Sequence, residues 1–365
     1  MIQRVFNFSA GPAVLPEPVL AEAQRDLMAL PGVGASILEI SHRSKTFEKI
    51  IGEAEANLRS LLGIPDDYVV LFLQGGARLQ FSMIPMNLMG GGRQSCNYLI
   101  TGSWSKYAAH EAVKFGDAKV IWDGKATNYD RLPSNAELKV DPKAAYLYYA
   151  SNETIQGVQF REEPQAGDVP IVCDASSDFL SRPVDVKKYG ILYACAQKNA
   201  GPSGVTILVM RKELLERSNE TLPGYLNYQI HAEAQSLWNT APTFAIYIVG
   251  LVAKWLLNDI GGLAKMEALN RGKAKLLYDV IDASGGFYAG HSQPVWRSMM
   301  NVSFRLPSDD LTTKFVEGAK KECMTDLKGH RSVGGIRASI YNAMPVAGVE
   351  KLRDYMVAFR DQNAK

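Results

Sequence analysis

The sequence predicts an α/β protein built on a mainly parallel sheet of seven strands that helices cover. The first observation is a set of short apolar runs, each with the length of a buried strand, at 68–73, 98–100, 119–122, 145–149, 169–173, 191–196 and 205–210. The second is that helix-like segments separate several of these runs, for example 78–89 and 104–115. Buried strands that alternate with helices are typical of parallel sheets with helices on both faces.

Two helices are predicted before the first strand. The first follows Pro16 and Pro18 and ends at Pro31, with apolar residues at helical spacing between them. The second covers about 47–62, where the apolar residues form one stripe, and Gly63 follows it as a helix-ending residue. Both helices would cover the sheet.

After the strands the pattern indicates a smaller αβ unit. An apolar helix at 244–257 and an amphipathic helix at 263–282 precede it. The unit itself has a strand at 300–306 and helices near 309–323 and 347–361. We therefore predict a large cofactor-binding domain over 16–257 and a small domain formed by 1–15 and 258–365.

Composition and charge exclude several partners. The 365 residues are 47% hydrophobic and 21% charged, which is typical of a globular protein. A formal net charge of +2 gives no reason to expect nucleic acid or a membrane surface as partner, so an anionic ligand must be bound by locally placed basic residues. The apolar helix at 244–257 is too short to span a bilayer and contains Lys254.

The cysteines and the N-terminus favour a cytoplasmic protein. Cys96, Cys173, Cys195 and Cys323 show no paired short spacing, which argues against a zinc site or a disulfide framework and for a reducing compartment. The first twelve residues contain no apolar stretch of signal-peptide length. No metal site is expected.

Ligands of open α/β sheets collect at the carboxyl ends of the strands, so the residues that follow each strand matter most. The first strand is followed by QGGAR at 74–78, where glycines and a helix start could bind an anion, although such turns are more often plain loops. No GxxxxGK[ST] motif occurs, and Gly32-Val33-Gly34 lacks a third glycine and follows a helix. An ATPase and a nicotinamide dehydrogenase are therefore disfavoured.

An aspartate and a lysine follow two successive strands. Asp174 ends one strand, which is most often a structural capping position, and Lys198 follows the next strand just before a Gly-Pro loop. A lysine at this place is costly for packing reasons alone. Together they indicate pyridoxal phosphate (PLP), held on Lys198 as an imine, with Asp174 keeping the pyridine nitrogen protonated.

An aromatic residue and three basic groups complete the candidate site. Trp104 begins a helix after a strand, where it either packs in the core or forms a flat platform for the ring. The basic groups are His42-Arg43, His330-Arg331 and Arg337. One His-Arg pair is usually solvated surface, but two pairs and an arginine among glycines suggest capture of carboxylates and a phosphate.

These segments together resemble the phosphoserine aminotransferases, fold-type-I PLP enzymes of the class V aminotransferase group. The resemblance covers nearly the whole chain and is carried by FNFSAGP at 6–12, SHR at 41–43, QGGAR at 74–78, NETIQG at 152–157, AQKN at 196–199, NTAPTF at 239–244 and GHRSVGGIRASIYNAMP at 329–345. The last of these motifs is long and highly specific.

The resemblance implies a role for each cofactor-binding residue. Lys198 would form the imine and shuttle the proton at the substrate Cα, and Asp174 would pair with the ring nitrogen. Trp104 would stack on the ring, with Thr154 beside it. The phosphate would be held by Ala77, Arg78 and Gln197 of one subunit and by Asn239 and Thr240 of the other, which implies an obligate homodimer.

The resemblance also implies the substrates, L-glutamate and a phosphorylated oxo-acid, 3-phosphohydroxypyruvate. Arg337 would bind the α-carboxylate. The distal phosphate or carboxylate would be bound by His42, Arg43, His330 and Arg331, with the last two contributed across the dimer. In bacteria the family also handles a related phosphorylated oxo-acid on the route to PLP.

Three positions depart from the family pattern. Gln74 stands where many members have histidine, and Ala77 replaces a third glycine, which would strain the loop if a positive φ were required. Ala10 stands where some members have serine. Alternative functions are a cysteine desulfurase, for which Cys323 in a helix-like stretch is the only C-terminal candidate, a serine–glyoxylate type aminotransferase, and a non-catalytic scaffold.

Overall fold

The computed structural model of the protein describes residues 4–90 and 92–364. Residues 1–3, at the start of the predicted small domain, lie outside this range. The helices are α1 Glu17–Met28, α2 Lys45–Leu62, α3 Gly76–Leu88, α4 Ser103–Ala112, α5 Lys212–Leu215, α6 Tyr228–Glu233, α7 Thr243–Trp255, α8 Leu263–Asp282, α9 Asp309–Lys321 and α10 Val346–Asn363. The strands are β1 Phe6–Asn7, β2 Tyr68–Leu73, β3 Ser95–Ile100, β4 Asp117–Asp123, β5 Leu147–Ala150, β6 Asn152–Glu153, β7 Val158–Gln159, β8 Ile171–Asp174, β9 Ile191–Cys195, β10 Thr206–Arg211, β11 Ala289–Gly290, β12 Asn301–Arg305, β13 Met324–Thr325 and β14 Ile336–Ser339.

The main sheet has seven strands in the order β2-β10-β9-β8-β5-β3-β4. The pairs β3–β4, β3–β5, β5–β8 and β8–β9 are parallel, whereas β10 is antiparallel to both β2 and β9. The connection at 196–205 is too short for the helical crossover that a parallel β9–β10 pair would need. The predicted fold, a mainly parallel sheet of seven strands, is confirmed.

The sheet lies between two helical layers. Residues of α1, α2 and α7 form one core with one face of the strands, and residues of α3 and α4 form another core with the opposite face. Since both faces are covered, β5, β8 and β9 are buried along their whole length. Neighbouring residues of one strand therefore face different helical layers.

A third core forms around the C-terminal helices. It contains residues of α8, α9 and α10, of the antiparallel sheet β11-β12-β14, and Phe8 from the N-terminal segment. The sequence predicted β12 but not β14, because Ile336–Ser339 is a short strand of mixed polarity directly after two glycines. β14 carries Arg337, one of the residues predicted for the site.

α7 and the π-helical turn Leu256–Ile260 together are long and apolar enough, by length and composition, to cross a membrane. Most residues of α7 are nevertheless buried in the core that it forms with α1 and α2. Core helices pass the same test of length and composition.

One detail of the predicted C-terminal unit is wrong. The helix near 309–323 ends at Lys321, and Cys323 lies in the turn after it with a φ of 61° rather than inside the helix. The backbone carbonyl of Cys323 accepts a hydrogen bond from Phe6 N at 2.9 Å, where β13 begins to pair with β1. All four cysteines have free thiols.

Candidate active site

A cavity of about 410 Å³ lies at the carboxyl ends of β2, β5, β8 and β9. Nine of the residues predicted for the site line it: Ala77, Arg78, Trp104, Thr154, Asp174, Gln197, Lys198, His330 and Arg337. Parallel strands deliver the residues that follow them to one edge of the sheet, which explains why positions far apart in sequence meet here.

Lys198 and Asp174 reach the cavity from neighbouring parallel strands. Asp174 is the last residue of β8 and Lys198 stands three residues after the end of β9. The Lys198 ammonium donates a hydrogen bond to Thr154 Oγ1 at 2.7 Å, and it lies 5.5 Å from the centre of the Trp104 ring. The Asp174 carboxyl, 5% exposed, accepts a hydrogen bond from Ser176 N at 2.9 Å. An amine and a buried carboxylate therefore line the same small space.

Trp104 is held in place by a buried carboxylate that the sequence did not single out. Glu153 accepts hydrogen bonds from Trp104 N at 3.1 Å, from Ser105 N at 2.9 Å and from the Ser105 hydroxyl at 2.6 Å. Burial raises the pKa of Glu153, and the hydrogen bonds from the start of α4 oppose that rise. A carboxylate at a helix N-terminus is a favourable arrangement, and here it fixes the first turn of α4.

The QGGAR segment forms the start of α3 as predicted. Gly75 has a φ of 83°, and a Cβ there would lie 2.5 Å from Leu79 Cδ2, so glycine is required. Ala77 lies within α3 and is not a residue of positive φ, so the third glycine of the family pattern is not needed. Gln74 accepts hydrogen bonds from the Tyr225 hydroxyl and from Asn239 Nδ2, the latter at 3.0 Å.

The N-terminal segment passes directly over Lys198. A Cβ at Gly11 would lie 3.3 Å from Lys198 Cγ, and Ala13 N donates to the Gln197 carbonyl at 2.9 Å. The Ala10 carbonyl accepts a hydrogen bond from the Tyr341 hydroxyl at 2.9 Å. Ala10 lines the cavity, but it lacks the hydroxyl that a serine would offer at this position.

Arg337 and His330 bring positive charge to the other side of the cavity. Arg337 Nε is buried and has no hydrogen-bond partner among the described residues. Burial lowers the pKa of Arg337, and burial together with the charges of Arg337 and Arg331 lowers the pKa of His330. An anionic group that entered the cavity would relieve both effects.

Five predicted residues do not line this cavity: His42, Arg43, Asn239, Thr240 and Arg331. Arg43, Thr240 and Arg331 are exposed, and Arg43 Nε lies 3.3 Å from His42 Nε2 just before α2. His330, in contrast, lines the cavity of its own chain, whereas the resemblance implied that the second subunit contributes it. His42, Arg43, Thr240 and Arg331 would need a second copy of the chain to contribute to this site. Asn239 is connected to the site within its own chain, because it donates a hydrogen bond to Gln74, which precedes the lining residue Gly75.

Sequence reasoning missed several residues of the cavity. The polar ones are Asn152, Ser176, Ser177 and Cys195. Asn152, Ser176 and Ser177 follow strand ends, so the rule that selected Asp174 could have selected them. Glu153 could not have been found in this way, because its partners at 104 and 105 come from a distant part of the chain.

The residues of the cavity fit PLP. The donor set contains an amine that can bind an aldehyde, a buried carboxylate for a ring nitrogen, an indole plane and a glycine-rich helix start for a phosphate. Three buried polar atoms of the lining, Trp104 Nε1, Asn152 Oδ1 and Arg337 Nε, lack hydrogen-bond partners in the described part of the chain. Such atoms usually have a partner in the functional state of a protein.

Comparison with known proteins agrees with this geometry. The family model described as aminotransferase class-V matches residues 5–352. The phosphoserine aminotransferase of Rhodopirellula baltica is 56% identical over 99% of this chain and 96% of its own length. A structure of the phosphoserine aminotransferase from Bacillus circulans subsp. alkalophilus has a TM-score of 0.96 at 48% identity, covering 98% of this chain and 99% of that one. The PLP-bound enzyme from Trichomonas vaginalis has a TM-score of 0.92 at 39% identity, covering 97% and 100%. The chain belongs to the class-V aminotransferase family.

Proposed function

We propose that this protein is a PLP-dependent phosphoserine aminotransferase. It transfers the amino group of L-glutamate to 3-phosphohydroxypyruvate and releases 2-oxoglutarate and O-phospho-L-serine. The observation that carries the proposal is the placement of Lys198 and Asp174 in one cavity beside Trp104. The full-length similarity to phosphoserine aminotransferases supports the choice of substrates.

Five residues that line the cavity are proposed to bind the cofactor. When bound, PLP supplies an aldehyde for amines and a ring that withdraws electrons from the substrate Cα. Asp174 would face the ring nitrogen and hold positive charge there, and Trp104 would lie against the ring. Ala77, Arg78 and Gln197 bind the phosphate at the start of α3.

Lys198 is the proposed catalytic base and acid. Its Nζ would anchor the cofactor, and as a free amine it would accept and return the proton at the substrate Cα. Thr154 orients this amine, because its hydroxyl accepts a hydrogen bond from Nζ at 2.7 Å. The N-terminal segment at Gly11 packs against the Lys198 side chain and limits its rotamers.

Arg337 and His330 are proposed to bind the substrate. The partnerless Nε of Arg337 and the planar guanidinium suit the α-carboxylate, which is common to glutamate and phosphoserine. His330 donates to the distal phosphate or carboxylate, since an anion there raises its depressed pKa.

A homodimer is proposed to complete the site. His42, Arg43, Asn239, Thr240 and Arg331 would act on the cavity of the second subunit or receive its contacts. Large apolar side chains are exposed close to these residues in sequence: Met28 at 85%, Leu38 at 59% and Trp238 at 46%. Contact with a second subunit would remove these apolar side chains from water.

The remaining proposals concern organisation and cellular setting. A large domain over 16–257 and a small domain of 1–15 and 258–365 are supported by the separation of the C-terminal core from the two cores of the main sheet. α8 begins in the core of α1, α2 and α7 and ends in the C-terminal core. A cytoplasmic location and a second role in pyridoxine biosynthesis are proposed from the resemblance. A desulfurase has no support, since Cys323 does not line the cavity.

The test is an absorbance spectrum of the purified protein after incubation with PLP, before and after addition of O-phospho-L-serine. We expect a yellow protein whose visible band is replaced when the amino group is transferred. Turnover of glutamate with 3-phosphohydroxypyruvate should accompany it. A protein that stays colourless in the presence of PLP would refute the proposal and favour a non-catalytic scaffold.

A further inference from the structure

The N-terminal segment 8–13 lies across the Lys198 side chain and is held at both ends. Phe8, at one end, is fully buried in the C-terminal core. At the other end, Ala13 N donates a hydrogen bond to the carbonyl of the residue before Lys198, at 2.9 Å. Between these ends, Gly11 comes so close that a Cβ there would lie 3.3 Å from Lys198 Cγ. The position of the middle of the segment therefore decides how much room the Lys198 side chain has.

The middle of this segment is held by a hydroxyl group. Tyr341, two residues after the end of β14, is fully buried and donates a hydrogen bond to the Ala10 carbonyl at 2.9 Å. Gly11 and Pro12 are exposed, so the packing of this chain holds the segment from one side only. A hydroxyl hydrogen can rotate, and this bond therefore depends on which acceptor receives the proton.

A chain of buried hydrogen bonds leads to this hydroxyl. Asn152, which lines the cavity, donates from Nδ2 to Ser177 Oγ at 2.7 Å and to Asn301 Oδ1 at 2.8 Å. Asn301 Nδ2 in turn donates to Ser339 Oγ at 3.0 Å and to the Tyr341 oxygen at 3.2 Å. All five residues are at most 4% exposed, so bulk water does not compete for these bonds.

Both ends of this chain of bonds require the same direction. An amide nitrogen and an amide oxygen are similar in size, so the partners must decide how Asn152 and Asn301 are turned. Ser177 Oγ lies 2.9 Å from the Asn152 carbonyl, which can only accept, so its proton goes there and the Asn152 amide must donate to it. The Ala10 carbonyl likewise takes the proton of Tyr341, and the Asn301 amide must donate to that hydroxyl. Turning either amide round would bring like groups together. The Tyr341 hydroxyl is thus fixed as a donor to Ala10.

We infer that Tyr341 is a positioning residue whose hydroxyl, with its proton directed by Asn301, holds the segment 8–13 against Lys198. The inference rests on the proposed function, in which Lys198 anchors the cofactor and exchanges a proton with the substrate. An amine whose side chain has little room to move spends more of its time in the geometry for proton transfer. Tyr341 does not line the cavity; it acts through Ala10 and Gly11, which do.

The test compares Tyr341→Phe with Tyr288→Phe in the full-length protein. Tyr288 is the matched control, because its buried hydroxyl also donates to a backbone carbonyl of the C-terminal core, that of Met356 at 2.8 Å, and it does not line the cavity. The first measurement is hydrogen–deuterium exchange of the cofactor-free protein. Peptides that cover 8–13 should exchange about three- to tenfold faster in Tyr341→Phe, as expected for one lost hydrogen bond, and at the original rate in Tyr288→Phe.

The second measurement is steady-state kinetics of the PLP-loaded protein. For Tyr341→Phe, kcat should fall about three- to tenfold, while KM for glutamate and the dissociation constant of PLP stay within about twofold of the original values. A purely structural role would lower the melting temperature and leave kcat of the folded protein unchanged. Exchange and kcat that both match those of Tyr288→Phe would overturn the inference. A change in only one of the two would overturn it as well, because the segment would then not connect Tyr341 with Lys198.

Asn301→Asp is the second variant. It keeps the shape of the side chain and puts a carboxylate oxygen where the amide donor faces Tyr341, so the hydroxyl proton turns away from Ala10 although Tyr341 is intact. If Tyr341→Phe fails to fold, as seen by circular dichroism, this variant decides: faster exchange at 8–13 than in Tyr288→Phe supports the inference, and equal exchange overturns it. An unmodified protein without turnover would refute the proposed function, whereas the exchange experiment, made without cofactor, would still decide whether Tyr341 holds the segment.

Discussion

Gly102 offers a sharp test of how the structure positions Trp104. The residue precedes α4 and is buried, and its extended backbone accepts any side chain. A Cβ at this position would lie 2.5 Å from Glu153 Cδ and 2.7 Å from Gln156 Oε1. The Glu153 carboxyl cannot yield freely, because three hydrogen bonds from Trp104 and Ser105 fix it.

Gly102→Ala should therefore destabilise the protein by one of two routes. If the neighbours stay in place, overpacking costs about 1–3 kcal/mol. If Glu153 moves away, buried donors at the start of α4 lose their acceptor, which costs about 1–3 kcal/mol as well. Both routes predict a loss of about 2 kcal/mol in the free energy of unfolding, and the second also moves Trp104.

The assay is equilibrium unfolding in urea, followed by a titration with PLP. Gly272→Ala is the control, since Gly272 is exposed within α8 and a Cβ there would meet nothing within 4 Å. That substitution should stabilise the protein by about 0.5–1 kcal/mol, because alanine is the better helix former. Opposite signs are thus expected for the two variants. A Gly102→Ala protein as stable as the original, with unchanged affinity for PLP, would refute the reasoning.

Three further predictions follow from the same structure. Lys198→Ala should fold but lose turnover almost completely, which steady-state kinetics and circular dichroism would show; appreciable turnover would contradict the role of this amine. Arg43→Ala should raise KM for both glutamate and phosphoserine while the visible band of bound PLP persists, and wild-type kinetics would show that this arginine lies outside the substrate site. Lys273, buried and donating to four backbone carbonyls at 340–344, has a pKa that burial lowers to about 7. The unfolded chain therefore binds more protons than the folded chain between pH about 7 and the ordinary lysine pKa of about 10.4, so the free energy of unfolding should rise with pH in that window. Lys273→Met should remove this rise, Lys275→Met on the exposed side of the same helix should keep it, and equal pH profiles for the two variants would contradict the prediction.

Much of the fold could be predicted because most strands of the main sheet are buried on both faces and read as continuous apolar runs. Each of the seven predicted runs corresponds to a strand of the main sheet, although β4, at the edge of the sheet, is largely exposed. The direction of β10 was not predicted; it follows from a short connection rather than from residue types. β14 was missed because a four-residue strand with an arginine and a serine has no clear apolar pattern.

The residues of the candidate site that directly follow strands could be predicted from the sequence. Asp174 and Lys198 were found from their positions after successive strands, and the structure brings both to one cavity. Glu153 was not found, because its importance comes from contacts with residues that are distant in sequence. The surface residues His42 and Arg43 depend on a second copy of the chain, which one sequence does not describe.

The most direct test of the account is the identity of the residue that holds PLP. The PLP-loaded protein would be reduced with borohydride, digested and examined by mass spectrometry. We predict that the peptide containing Lys198, and no other, carries the mass of a reduced phosphopyridoxyl group. A label on a different lysine, or none on Lys198 in a protein saturated with PLP, would contradict the account.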